Sequence, residues 1–97
     1  MIILAGTIRI GTGKRDDALE LIETMIEATR AEPGCLDYTF SFDVADDHLV
    51  HIFELFEDEA ALAAHRASPH MQAWRANNLG ISDRSMREYQ VSASREI

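Results

Sequence analysis

The sequence predicts an α+β fold of order βαββαβ, with a four-stranded antiparallel sheet and helices on one of its faces. Three observations carry this reading. Four segments, near residues 2–10, 36–44, 48–56 and 84–93, show strand-like patterning and are bounded by turn residues. One long amphipathic helical pattern separates the first two, and a shorter, proline-broken one separates the last two. The chain has 97 residues, which suits one domain over 1–97 and a single small core.

The first strand runs from Ile2 to Ile10 and stops at Gly11-Thr12-Gly13. Ile2, Leu4, Ile8 and Ile10 fall on one face, and Ile3, Ala5 and Thr7 on the other. Both faces are largely apolar, so both are expected to be covered. Lys14 to Glu32 reads as a helix. Ala18, Leu21, Ile22, Met25, Ile26 and Thr29 make one stripe, while Asp16, Asp17, Glu20, Glu23 and Glu27 take the wet side. Pro33-Gly34 ends it.

Leu36 to Val44 alternates, with Leu36, Tyr38, Phe40, Phe42 and Val44 on one face. Asp46-Asp47 marks a hairpin turn into a third strand, His48 to Phe56. There Val50, Ile52 and Phe56 oppose Leu49, Phe53 and Leu55; Glu54 falls in the first set and His51 in the second.

Glu57 to Trp74 reads as two short helices with a forced break at Ser68-Pro69. Asp58 caps the first; Ser68 caps the second, with Pro69 at its first position. The second ends near Asn77-Asn78-Leu79-Gly80, and Arg84 to Ala93 is the last strand, with Met86 opposite in phase to Tyr89 and Val91.

This order is the ferredoxin-like arrangement. Its helices cover one sheet face only. The first and third strands, central in this topology, are apolar on both faces, which leaves a patch that calls for a partner. The expected solution is a homodimer whose sheets pack face to face.

Composition narrows the function. A net charge of −8, with no basic stripe, opposes binding to nucleic acid or to anionic membrane surfaces. No segment approaches the ~20 apolar residues of a membrane span. Cys35 is the only cysteine, which precludes an intrachain disulfide and reads as an inert thiol. The opening Met1 to Gly6 lacks the pattern of a secretory signal, so a cytoplasmic location is expected.

Several side chains are candidates for chemistry. His65 shares a helix face with Ala61 and Leu62, where an imidazole can act as general acid or base or simply pack at the core edge. Trp74 shares a face with Met71 and Asn78 and can wall a flat pocket or fill the core. Tyr38, Phe40 and Phe42 can supply the opposite wall from the sheet. Glu54 sits in an apolar run and needs a partner: an arginine such as Arg9 or Arg87 across the dimer interface, unless it is a base with raised pKa.

No metal site is expected. His65 and His70 are five apart across a proline, His48 and His51 point to opposite faces of a strand, and no carboxylate joins either pair at ligand spacing. Gly11-x-Gly13-Lys14 falls short of a phosphate loop, and no dinucleotide fingerprint is present, so no built-in nicotinamide cofactor is expected.

Two stretches carry a resemblance. Glu32-Pro33-Gly34-Cys35-Leu36-Asp37-Tyr38 looks like an E-x-G-C-x-x-Y entry to a second strand. Glu54 to His65, followed by Ser68-Pro69-His70-Met71, looks like a second hallmark. Together they resemble the antibiotic biosynthesis monooxygenase family of dimeric α/β-barrel proteins, especially its quinol monooxygenase branch. The resemblance covers nearly the whole chain. It implies a ferredoxin-like protomer, a sheet-to-sheet homodimer and a pocket between sheet and helices. Some members oxygenate electron-rich phenols or quinols with O2 and no metal, flavin or haem. On this resemblance His65 transfers the proton, and Trp74, Tyr38, Phe40, Phe53 and Met71 line the site of a small aromatic substrate.

The chain departs from the family in places. Phe56 stands where many relatives have Trp, and the first strand lacks the Asn of the haem-degrading branch, which speaks against haem degradation. The alternatives are an isomerase that uses the same histidine as a proton shuttle, and a non-enzymatic small-ligand or stress-response protein. Basic residues are few near the pocket segment, Arg66 and Arg75 only, and that shortage weighs against a phosphorylated ligand.

Overall fold

The elements of the computed structural model, which describes residues 1–97, run β1 (Ile2–Arg9), α1 (Arg15–Arg30), β2 (Cys35–Phe42), β3 (Leu49–Phe56), α2 (Glu59–Arg66), α3 (Pro69–Arg75) and β4 (Asp83–Gln90). The sheet order is β2-β3-β1-β4, and every neighbouring pair is antiparallel. This is the ferredoxin-like α+β fold, with β1 and β3 central as the patterning required.

Strand register decides which side chains meet the helices. Ile2 pairs with Phe56, Leu4 with Glu54, Gly6 with Ile52 and Ile8 with Val50, so these residues share the helix-covered face. Tyr38 pairs with Glu54 and Phe40 with Ile52 on the same face. Ile2, Ile8, Tyr38, Val50, Ile52 and Phe56 are buried there, under Ala18, Ile22 and Met25 of α1 and Leu62 of α2. The other face carries Ile3, Ala5, Thr7, Phe53, Leu55 and Tyr89, and within one protomer nothing lies over it. Phe53 is 36% and Tyr89 47% exposed. No helix is long and apolar enough to cross a membrane.

Most element ends shift by one or two residues from the sequence expectation, and three differences have local reasons. β4 stops at Gln90, short of Ala93, because its partner β1 begins at Ile2, which faces Gln90. β2 stops at Phe42, and Val44 is fully exposed, because Asp43 turns the chain by accepting from the Ala45 amide. A register shift between Cys35 and Asp37 moves Leu36 off the covered face, leaving it 53% exposed.

The helix boundaries position the site. α1 ends at Arg30, and a tight turn follows in which the Cys35 amide donates to Glu32 O at 3.1 Å. A Cβ on Gly34 would sit 2.3 Å from Ala61 Cβ, so the bare backbone lets α2 lie directly on this turn. Asp58 caps α2 by accepting from the Ala61 amide at 2.8 Å. Ser68 caps α3, accepting from the Met71 amide at 3.2 Å and donating to His65 O at 2.7 Å. Pro69 lacks the N–H that continuing α2 would need, so the chain restarts as a new helix.

Candidate active site

A cavity of about 300 Å³ lies between the sheet and the split helix. Leu4, Ile8, Ile52, Tyr38 and Phe40 line it from the sheet, and Met71 and Trp74 from α3. Trp74 meets Phe40 edge-on, with ring centroids 5.7 Å apart. Arg84, Met86, Arg87 and Glu88 of β4 line it as well, with Arg66 of α2. The only ionisable groups lining the rest of the cavity are His65, Glu54 and Tyr38.

His65 is 2% exposed and held at Nδ1, with a second carboxyl facing Nε2. Nδ1 is 2.9 Å from Glu32 Oε2, and Nε2 is 3.7 Å from Glu54 Oε1. The rings of Phe56 and Tyr38 pack against it, with centroids at 4.9 and 5.5 Å. His70, from the start of α3, also brings Nε2 to Glu32 Oε2, at 2.5 Å. A carboxylate oxygen only accepts, so the network assigns the His65 proton to Nδ1 and leaves the Nε2 lone pair facing Glu54 and the cavity.

Burial sets the proton affinities. It lowers the His65 pKa below the ordinary imidazole value, with Glu32 pulling the other way, which favours the neutral ring. It pushes the Glu54 carboxyl up to about 7, against the opposing charges of Arg66 and Arg84. It also raises the Tyr38 hydroxyl well above its usual range, with Glu54 adding to the effect. The pocket therefore holds a neutral base beside a carboxyl that titrates near neutrality, a pairing suited to moving a proton.

Of the residues expected at the site, His65, Trp74, Tyr38, Phe40 and Met71 come together around this cavity. Phe53 does not. It alternates with Ile52 and Glu54 and so points to the uncovered face, beside Ala5 and Thr39. Glu54 does not pair with Arg9, which bonds Asp46 at 2.8 Å. It lies under the helices, on the face away from the open side of the sheet, with His65 Nε2 at 3.7 Å and the charges of Arg66 and Arg84 acting on it.

The expectation that no carboxylate joins His65 and His70 also fails. Glu32 reaches both from a turn 33 positions before His65. Arg75 donates to Arg66 O and is not among the residues lining the cavity, whereas Arg84 of β4, opposite Ile8, supplies charge from the covered face. The roles of Glu32 and Arg84 escaped the sequence reading, and His70 was weighed only as a partner of His65 for a metal and set aside, because their meeting depends on strand order and on the helix break. The one local signal was Glu32 at the head of the Glu32-Pro33-Gly34-Cys35 turn.

These features define a class: a small ferredoxin-like protein with a ligand-sized cavity guarded by a carboxylate-anchored histidine. The sequence model of the family described as antibiotic biosynthesis monooxygenase matches residues 1–77, and the chain belongs to that family. Sll1783, an uncharacterized protein of Synechocystis, is 36% identical over 69 residues, which cover 71% of this chain and 47% of that one. The chain thus spans about half the length of that relative. Rv0793 of Mycobacterium tuberculosis, named provisionally as a monooxygenase, is 41% identical over 56 residues, or 58% of this chain and 54% of the relative. Its solved structure superposes with a TM-score of 0.85 over 98% of both chains, at 23% identity, which shows a shared fold. The structure of PA3566 from Pseudomonas aeruginosa is similar at a TM-score of 0.83 and 27% identity, over 95% of this chain and 94% of the other.

Proposed function

We propose that the protein is a cofactor-independent monooxygenase that oxidises an electron-rich phenol or quinol with O2, in the cytoplasm and as a sheet-to-sheet homodimer. One observation carries the reading: His65 presents an unprotonated Nε2 to an aromatic-walled cavity while Glu32 fixes its other nitrogen. A planar ring would lie in the cavity against the joined aromatic wall of Trp74, Phe40 and Tyr38. His65 accepts the hydroxyl proton, and the resulting anion is electron-rich enough to give one electron to O2. The two radicals combine, and the peroxide breaks to leave a carbonyl on the ring and release water. For a ring methylene the balance is CH2 + O2 → C=O + H2O. The protein supplies orientation, a dry site and a base. The homodimer rests on the open apolar face with Phe53 and Tyr89. The cytoplasmic placement rests on a lone cysteine with no disulfide partner.

The test is oxygen uptake by metal-free protein with a panel of hydroquinones and anthrones. Quinone formation above the uncatalysed rate supports the reading; uptake at the background rate throughout the panel defeats it. The pair Arg66 and Arg84 along the cavity favours a second reading, an isomerase that shuttles a proton between carbons of an anionic small molecule. Under that reading turnover of the substrate proceeds without O2 consumption.

A further inference from the structure

We propose that Glu32, His65 and His70 form a binding site for a divalent cation of the zinc type, placed behind His65 on the side away from the cavity. Each side chain offers one ligand atom, and the three atoms lie within 4.8 Å of one another. Two imidazoles and a carboxylate are a donor set that zinc accepts in three-ligand sites, with water in the fourth position.

A second observation points the same way. Glu32 Oε2 takes both imidazole contacts, whereas Oε1 is buried and has no hydrogen-bond partner. Buried carboxylate oxygens are normally satisfied. A cation held by both oxygens of Glu32, the second taking the place of the water, would remove the orphan. The cluster is closed at 2.9 and 2.5 Å. Donors at about 2.0–2.1 Å from a tetrahedral ion stand about 3.3 Å apart, so the two Glu32 contacts open by less than about 1 Å while the two imidazole nitrogens, now within 4.8 Å of each other, draw in toward the same spacing. The Glu32 and His70 side chains are 17% and 18% exposed and provide the entry path, while His65 at 2% closes the inner side.

The cation would change what His65 presents to the cavity. Without it, Glu32 holds the proton on Nδ1 and Nε2 is a bare acceptor. A cation takes the Nδ1 lone pair, and the proton moves to Nε2 with no net gain or loss. His65 then faces the cavity as a hydrogen-bond donor. Where His65 serves as the proton acceptor of an oxygenation, the cation is an inhibitor; the binding itself does not rest on that reading.

The experiment is calorimetric titration of chelator-treated, dialysed protein with zinc chloride, alongside NMR of the histidine ring nitrogens. The expected result is one saturable zinc per protomer, a shift of the His65 and His70 ring signals, and affinity at least tenfold weaker in Glu32→Gln and His70→Gln. His70 lies near the surface, so His70→Gln should keep its fold, which circular dichroism checks. His51→Gln, which removes a separate surface pair with Asp43, should bind zinc as the natural protein does. No saturable zinc in the natural protein, or equal affinity in it and in both Glu32→Gln and His70→Gln, overturns the site. Zinc that binds at these residues yet leaves oxygen uptake unaltered upholds the site and refutes His65 as the acceptor, which separates the two readings.

Discussion

His65 and Glu32 stand 33 positions apart in the chain and meet at 2.9 Å, Nδ1 to Oε2, in an interior where His65 is 2% exposed. The contact fixes one imidazole tautomer, so the other nitrogen is available to the cavity without any rearrangement. It also ties the turn after α1 to the last turn of α2, joining two halves of the chain at the roof of the site.

Replacing His65 with Gln should cut oxygen uptake on a responsive quinol by about 10²–10⁴-fold, the usual contribution of a positioned general base. Gln can keep a hydrogen bond to Glu32 but cannot accept a proton near neutrality. Steady-state rates with an oxygen electrode measure this, and a rate within twofold of the natural protein would remove His65 from the chemistry.

Glu54 should tie stability to pH. Its carboxyl rises from 4.5 to about 7 on folding, so the native state holds the proton more tightly than the unfolded chain. The stability this group contributes is fully present below about pH 4.5 and is lost as pH climbs through 7, a change on the order of 3 kcal/mol. His65, lowered by burial, acts in the opposite direction, losing stability as pH falls. The useful quantity is therefore the difference between the natural protein and Glu54→Gln in urea unfolding at pH 5 and pH 8. Gln should be relatively more stabilising at pH 8; identical differences at both values would show that burial does not shift Glu54.

Phe53→Glu should convert a dimer into a monomer. The side chain lies on the open sheet face, among Ala5 and Thr39, and a carboxylate there would be buried without a partner in a sheet-to-sheet pair. Light scattering at micromolar concentration measures the mass. A natural protein that is already monomeric, or a Phe53→Glu variant that stays dimeric, counts against this interface.

Ser68→Ala should destabilise by about 1 kcal/mol, the usual worth of a helix cap. It should also loosen the roof, because the hydroxyl both accepts from Met71 and donates to His65 O. Asp58→Ala removes a cap of similar strength from the far end of α2 and serves as the reference. Equal unfolding costs, with weaker substrate binding only in Ser68→Ala, would separate the two effects; equal binding in both variants would deny Ser68 a role at the site.

The fold was legible because its determinants are periodic. Alternation in residues 36–44 and 48–56, the stripe from Ala18 to Thr29 and the Ser68-Pro69 break each report a local geometry that the chain adopts. Leu36 shows the limit of that logic, since one bulge removes it from the face its parity assigned. The site was legible only where a residue lies on an element with a defined face, as His65, Trp74, Tyr38 and Phe40 do. Phe53 was misplaced although its own parity with Leu49 and Leu55 put it on the opposite face. Glu32 and His70 were missed for a deeper reason: no spacing rule connects a turn residue with a helix start 38 positions later.

The break between α2 and α3 does more than leave space beneath it. In one continuous helix, residues five apart are rotated by about 140° around the axis. His70 would then face away from the carboxylate that His65 meets. Restarting the helix at Pro69 resets that rotation, and both imidazoles converge on Glu32. The number of residues between His65 and His70 is consequently fixed by chemistry rather than by packing. Adding or removing one alanine in this short connection would carry His70 away from Glu32 and His65, and would shift Met71 and Trp74 on the same helix along with it.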